Sequence, residues 1–261
     1  KKKVEVVVQG VVVTSFITLS NASKEAFKTA TLLKTLNVNS LISGEDGVGK
    51  KTLAKYILPN ASIVDASDFE VSITILSNSD QVIITNLHNT ANLKTILDVI
   101  EENDVRVIAT SKEYLVNDQI TELFPVKFSI PPLSQREEDV KALVDIFSKE
   151  ASELFGRDSS FKKLVLTPDL SKNSVSLRRQ VMIHYLLQDI NDTELMDIVE
   201  NYLNDKLGSN SDYRNFLHLY EAPLIKVGLK KFKSQLQLAD KLGLNRNTLR
   251  KKIADNKQYL K

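Results

Sequence analysis

No cysteine occurs anywhere in the chain, so disulfides, thiolate metal centres and cysteine nucleophiles are excluded at the outset, in keeping with a reducing, cytoplasmic setting. No stretch supplies the ~20 uninterrupted apolar residues that a membrane span needs. The N-terminal run from Val4 to Val13 is apolar but strand-like, and it lacks the helical core and small-residue cleavage site of a secretory signal. With Lys1-Lys2-Lys3 ahead of it, it reads as the start of a domain. Internal repeats and low-complexity tracts are missing as well. What is present is 42% hydrophobic and 26% charged residues in a chain of 261, an ordinary globular balance at a length that accommodates two unequal domains.

The formal net charge of +2 conceals an asymmetry. From Leu224 to Lys261 eleven Lys and Arg face only Asp240 and Asp255, a net of +9, which leaves −7 for the preceding 223 residues. So basic a tail is an electrostatic footprint for phosphate backbones, with a solvated lysine-rich helix face as the plainer reading.

Apolar strand-like runs fall at Val38–Ser43, Ser62–Val64, Gln81–Thr85, Val105–Thr110 and Val126–Ile130, with a helical pattern (NLKTILDVIEEN) between the third and fourth. Apolar strands alternating with helices predict an α/β fold, a parallel sheet covered on both faces. From Gln135 the pattern turns helical, in REEDVKALVDIFSKEASELFG, SLRRQVMIHYLLQDI and DTELMDIVENYLNDKL. The polar stretch Gly208 to Asn215 reads as a linker. The expected division is an α/β nucleotide-binding part over 1–134, a helical lid over 135–207, a linker over 208–220 and a small all-α helix-turn-helix domain over 221–261.

Two segments carry chemistry. GEDGVGK, with Gly44, Gly47, Gly49 and Lys50, matches the G-x-x-x-x-G-K core of a P-loop and sits between a predicted strand and the helix-forming KTLAKYIL. Glycines let backbone N–H groups curl round phosphates, the helix N-terminus adds its dipole, and the lysine reaches the β and γ phosphates. The candidate nucleotide-binding residues are therefore Gly44, Glu45, Asp46, Gly47, Val48, Gly49, Lys50, Lys51 and Thr52. Lys51 stands where a magnesium-binding Ser or Thr is usual.

The second segment is Glu221 to Lys252, which has the period of three short helices, with Leu224, Val227, Leu229, Phe232, Leu236, Ala239 and Leu242 as the expected core. A turn at Leu242-Gly243-Leu244 precedes Asn245, a good N-cap, and the helix it starts carries Arg246, Thr248, Arg250, Lys251 and Lys252. That is the layout of a helix-turn-helix, whose second helix enters the major groove N-terminus first.

From Phe16 onward the chain resembles the NtrC-like, sigma-54-dependent activators of bacteria, P-loop proteins of the AAA+ class. GEDGVGKKTLAKYI is similar to their GESGTGKELVA, VRVIATSKEYL to their sensor I strand VRVIAATNRDL, and IPPLSQREEDVKALVDIF to IPPLRERKEDIPLLVEHF at the entry to the lid. Asn173 to Arg179 (NSVSLRR) is similar to their sensor II motif GNVRELR, and LADKLGLNRNTLRKKI to their Fis-type ending LAEILGINRNTLRKKL. The resemblance implies that Asn245, Arg246, Thr248, Arg250 and Lys251 contact double-stranded DNA, that Leu249 and Ile253 face the core, and that a homodimer forms through the first helices of the C-terminal domain. It also implies ATP or ADP as ligand.

The chain departs from the family where catalysis is done. Hydrolysis needs carboxylates to hold magnesium and activate water, and the family's Walker B acids fall on Thr85 and Asn86, with Asp65, Asp68 or Asp80 as the nearby substitutes. The arginine-finger positions fall near Val116 and Glu122. Sensor I offers Lys112 for an asparagine, and sensor II offers Val175 for an arginine unless the alignment slips to Arg178 or Arg179. The GAFTGA loop that engages sigma-54 does not occur. The expectation is a DNA-binding regulator with a degenerate core, no catalytic residues and no magnesium site. The alternative is an active ATPase that activates sigma-54 polymerase.

Overall fold

The computed structural model describes residues 6–8, 11–13, 16–112, 118–156, 167–232 and 234–260. Lys1 to Lys3 and Val116 lie outside them. The chain divides into two units, Lys1–Asp189 and Ile190–Lys261.

In the first unit β1 (Val6–Val8) and β2 (Val11–Val13) pair antiparallel as a separate ribbon, where one strand-like run was expected. The main sheet holds β3 (Ser40–Ser43), β4 (Ser62–Asp65), β5 (Gln81–Thr85), β6 (Arg106–Ser111) and β7 (Val126–Ser129). Its order is β4-β5-β6-β3-β7 and every pairing is parallel. Because strand side chains alternate between faces, Ile42, Ile83 and Ile108 point to one side, against Ala30 and Leu33 of α1 (Asn21–Thr35) and Leu53 and Ile57 of α2 (Lys50–Ile57). Leu41, Val82, Ile84 and Val107 point to the other, where α3 (Phe69–Leu76), α4 (Leu93–Glu102) and α5 (Asp118–Leu123) add Leu76, Ile96, Ile100 and Ile120. Each such buried aliphatic side chain is worth about 1.5–3 kcal/mol, so a continuous apolar strand such as QVIIT is stable only with both faces covered.

The lid is α6 (Glu137–Phe155) and α7 (Ser174–Leu186). Helix α6 opens with Glu137, Glu138 and Asp139 on its positive end and stops at Gly156, which takes the left-handed conformation of a C-cap (φ 61°). Leu143, Phe147, Leu177 and Val181 form the core between the two helices.

The second unit contains α8 (Asp192–Asn204), α9 (Asp212–Phe216), α10 (His218–Lys231), α11 (Gln235–Lys241) and α12 (Arg246–Asp255). This differs from the expected division in two ways. Helix α8 groups with the C-terminal unit instead of the lid: none of its residues is buried, so it contributes nothing to the lid core, and periodicity alone does not say which core a helix joins. The expected linker over 208–220 is largely helical, since α9 lies inside it and α10 starts at His218.

The expected C-terminal core is also corrected. Leu224, Val227, Leu229 and Leu236 are exposed, whereas Ile225, Leu238, Ala239 and Leu249 are buried, with Phe232, Leu242 and Ile253 packed on them. The register of α10 is set by Gly228, where an added Cβ would stand 2.3 Å from Leu238 Cδ1. Only the missing side chain lets the two helices approach on the face that carries Ala222 and Ile225.

Candidate functional site

The P-loop follows directly from β3. Gly44 donates its N–H to the Ser111 carbonyl of the neighbouring β6 at 3.1 Å, and Gly44, Gly47 and Gly49 all have positive φ. Gly49 is the N-cap of α2, with no side chain capping the first turn, so helix dipole and backbone N–H groups are directed at the loop. Lys50 is 8% exposed. Its Nζ donates to the carbonyls of Gly44 and, at 2.8 Å, of Glu45. Burial pulls this ammonium below its usual pKa, Asp46 opposes the shift, and Lys112 reinforces it by like-charge repulsion. Val48 is buried, Thr52 half-buried, and Glu45, Asp46 and Lys51 are exposed.

The lid holds this loop by its carbonyls. Ser174 at the start of α7 donates N–H (3.2 Å) and Oγ (2.6 Å) to the Gly47 carbonyl. Asn173 donates from Nδ2 to the Asp46 carbonyl and to Glu45 Oε2, both at 2.9 Å, while its Oδ1 accepts from Leu133 N–H at 2.7 Å. A Cβ at Gly47 would lie 2.5 Å from the Lys172 carbonyl. Beside the loop is a cavity of about 310 Å³ whose walls include Phe16, Val48, Thr52, Phe147 and Arg178. Arg178, one of the two arginines left open for sensor II, gives its Nε and Nη2 to Glu150 at 3.0 and 2.5 Å. Val175 lines the cavity without a charge.

One group that sequence reasoning missed ties the parts together. Arg136 is 1% exposed. It donates from Nε to Asp139 Oδ2 at 2.8 Å and from Nη1 to the Val48 carbonyl at 3.0 Å, and it lies over the Phe16 ring. Asp139 also accepts from Leu19 N–H (2.8 Å), Ser20 N–H (3.0 Å), Ser20 Oγ (2.9 Å) and Ser23 Oγ (3.2 Å). Burial works to raise this carboxyl, and the hydrogen bonds from Ser20, Arg136 and Leu19 outweigh it, holding the pKa below the usual range.

The residues at the Walker B position do not fit a magnesium ion. The single Thr85 Oγ1 hydrogen has the Val64 carbonyl at 3.1 Å and Asp65 Oδ2 at 3.2 Å as alternative acceptors, and Asn86 Nδ2 donates to the same Oδ2 at 2.6 Å. Asp65 pairs in register with Thr85, so it stands at the right end of the sheet. Its other oxygen takes Ser67 N–H and Oγ at 3.0 and 2.7 Å. Three committed donors, with the Thr85 hydroxyl in reach, occupy most of the roughly four lone-pair sites of a carboxylate, and these bonds overcome burial to lower the Asp65 pKa. Asp68 caps α3, and Asp80 precedes β5 at the opposite end of the sheet. Glu122, near an expected arginine-finger position, lies in α5. Among the described residues no group of three His, Cys, Asp or Glu converges as a metal site.

In the second unit Asn245 caps α12, its side chain accepting from Thr248 N–H at 2.8 Å. Arg246, Arg250 and Lys251 are exposed, and Thr248 is half-buried. Leu249 is fully buried and Ile253 packs beside it. Lys252 is used internally: it pairs with Glu221 of α10, which also accepts from Asn256 at 3.3 Å. The helix is thus fixed through Leu249, Ile253, Lys252 and Asn256, while three cations remain on its outer surface.

These features define a P-loop α/β core with a helical lid, followed by an all-α unit with a helix-turn-helix. Residues 216–255 match the family model described as bacterial regulatory protein, Fis family. Among solved structures the chain is similar to NtrX from Brucella abortus. The complex of that protein with ATP superposes with a TM-score of 0.58 at 17% identity, covering 92% of this chain and 68% of that one. Its complex with ADP gives 0.57 at 17% identity, over 91% and 68%, and a third NtrX structure gives 0.54 at 18%, over 92% and 69%. At such identities the likeness is one of fold. No curated protein sequence matches the chain. No helix among the described residues is long and apolar enough to cross a membrane.

Proposed function

We propose that this chain is a sequence-specific DNA-binding transcription regulator, bacterial and cytoplasmic, whose core binds ATP or ADP as a signal or structural ligand without turning it over. The observation that carries the reading is α12, with Asn245 at its cap and Arg246, Arg250 and Lys251 exposed on a helix anchored from behind. Arg246 and Thr248, in the first turn, reach base edges, and Arg250 and Lys251 meet phosphates. The nucleotide part rests on the loop from Gly44 to Thr52 and on the fold shared with NtrX, which has been crystallised with ATP and with ADP. Nucleotide acts by shifting the population of two states, which requires different affinity for each.

The working species is a homodimer. Leu195, Met196, Ile198, Val199 and Tyr202 of α8 are all exposed at the spacing of one helical face, an apolar surface suited to a second copy and to two recognition helices on a palindromic site. Contact with sigma-54 polymerase is not part of the reading, because the GAFTGA loop and the Walker B acids are missing from the sequence. The test is a binding titration of the intact chain against random and selected DNA at two salt concentrations. Affinity should fall with a log–log slope of about −0.9 per phosphate contacted. Absence of binding at low salt removes the reading. For the alternative, an active ATPase, steady-state phosphate release decides: turnover of roughly 0.1 to 10 per second, abolished by Lys50→Ala, would establish it.

A further inference from the structure

The Asp46 carboxylate is shared between two ammonium groups. Lys50 Nζ lies 3.9 Å from Oδ1 and Lys112 Nζ lies 3.7 Å from Oδ2. Lys112 is the first residue past β6, the strand beside β3 in the sheet, and its backbone N–H donates to His88 Nδ1 at 3.2 Å. The Ser111 carbonyl immediately before it receives the first N–H of the loop. The Lys112 side chain is thereby placed at the mouth of the phosphate loop, opposite the buried Lys50.

The surrounding charges make this lysine informative. In a magnesium-dependent P-loop the ion sits between phosphate oxygens, a hydroxyl after the lysine and an acid on the neighbouring strand. Here the strand ends in Thr85 and Asn86, and the carboxylate beside them, Asp65 of β4, already accepts from Ser67 and Asn86. A divalent cation would meet the Lys50 and Lys112 ammonium groups and, on the strand side, an acid already engaged in hydrogen bonds. A polyphosphate would find two ammonium groups already converging on an anion.

Resting on the nucleotide-binding reading, we propose that the loop takes the polyphosphate of its ligand without a divalent ion, Lys112 supplying the fixed positive charge and Asp46 serving as the internal anion that the phosphate displaces. The carboxylate holds the two lysines in place and competes with the ligand for both.

The test is a titration of the full chain with ATP, ADP and inorganic tripolyphosphate, each in excess magnesium and in excess chelator. Undiminished affinity in chelator is expected. Lys112→Asn should weaken binding in chelator roughly tenfold, the scale of one hydrogen bond to a charged group, and Asp46→Asn should tighten it. Both side chains are exposed, and unchanged unfolding curves would confirm that the variants fold. Preference for ATP over tripolyphosphate indicates a nucleotide ligand, and equal binding indicates a free polyphosphate; in either case the metal-free mode stands. Binding that requires magnesium, or that is indifferent to Lys112→Asn, overturns this proposal while leaving nucleotide binding intact. No binding of any of the three probes under either condition overturns both.

Discussion

Arg136 and Arg246 both stand at the start of a helix, and their surroundings are opposite. Arg136 is enclosed, bonded to Asp139 and to the Val48 carbonyl, and joins lid entry, phosphate loop and the segment before α1. Arg246 lies in solvent on α12, beyond the residues that anchor that helix. A buried guanidinium bonded to an acid and a carbonyl fixes shape, because its donors are directed at partners within the frame. An exposed one at the first turn of a recognition helix keeps its donors available for base edges and phosphates. The contrast teaches that position in the hydrogen-bond network, not residue type, separates an arginine that holds the frame from one left open to a ligand.

The largest expected effect tests the inner half of that contrast. Asp139→Ala leaves Arg136 as an uncompensated buried charge and should cost about 3–5 kcal/mol, read from denaturant unfolding; a loss under about 1 kcal/mol would break the comparison. The same carboxyl has a pKa below its unfolded value. Its contribution is therefore complete above about pH 4 and is lost as the pH falls through the folded pKa, and Asp139→Asn should flatten the acid limb of the stability profile. Next, Gly228→Ala drives a methyl into Leu238 and should destabilise the second unit by about 1–3 kcal/mol, visible as a lower Tm. The outer half is tested by Arg246→Ala, which should reduce discrimination between selected and random DNA by about 1–3 kcal/mol with little change in unfolding. Smallest is Lys251→Ala, expected to weaken both DNAs alike and to flatten the salt slope by about one unit.

What the sequence revealed and what it hid divide by range. The parallel sheet was legible because each strand is a short apolar run between turn signals, and QVIIT matches β5 to the residue. The phosphate loop and the cap at Asn245 are equally local. The Arg136–Asp139 centre was not legible: its partners Leu19, Ser20 and Ser23 are 116 to 120 residues from Asp139, and REED at a helix start looks like exposed acids complementing a dipole. Along the chain Lys112 is only a lysine at the sensor I asparagine position, and its approach to Asp46 across the loop has no local signal. In α10 the segment LIKVGLKKF spreads apolar residues around the helix, so its pattern does not single out the buried face, which the close approach of Gly228 to Leu238 identifies. Helix α8 gave a clear helical period, but its exposed apolar side chains say nothing in sequence about whether they meet the lid, the C-terminal unit or another molecule.

The grip of Asn173 and Ser174 on the carbonyls of Asp46 and Gly47 bears on inheritance. It makes the loop a joint in the frame as well as a receptacle, so a substitution at Gly47 disturbs the attachment of the lid before any ligand is involved. Selection for a folded chain would act on Gly47 by itself, whichever residues stand at the end of β5. A glycine-rich loop that also carries the lid is constrained by architecture as well as by any ligand it receives.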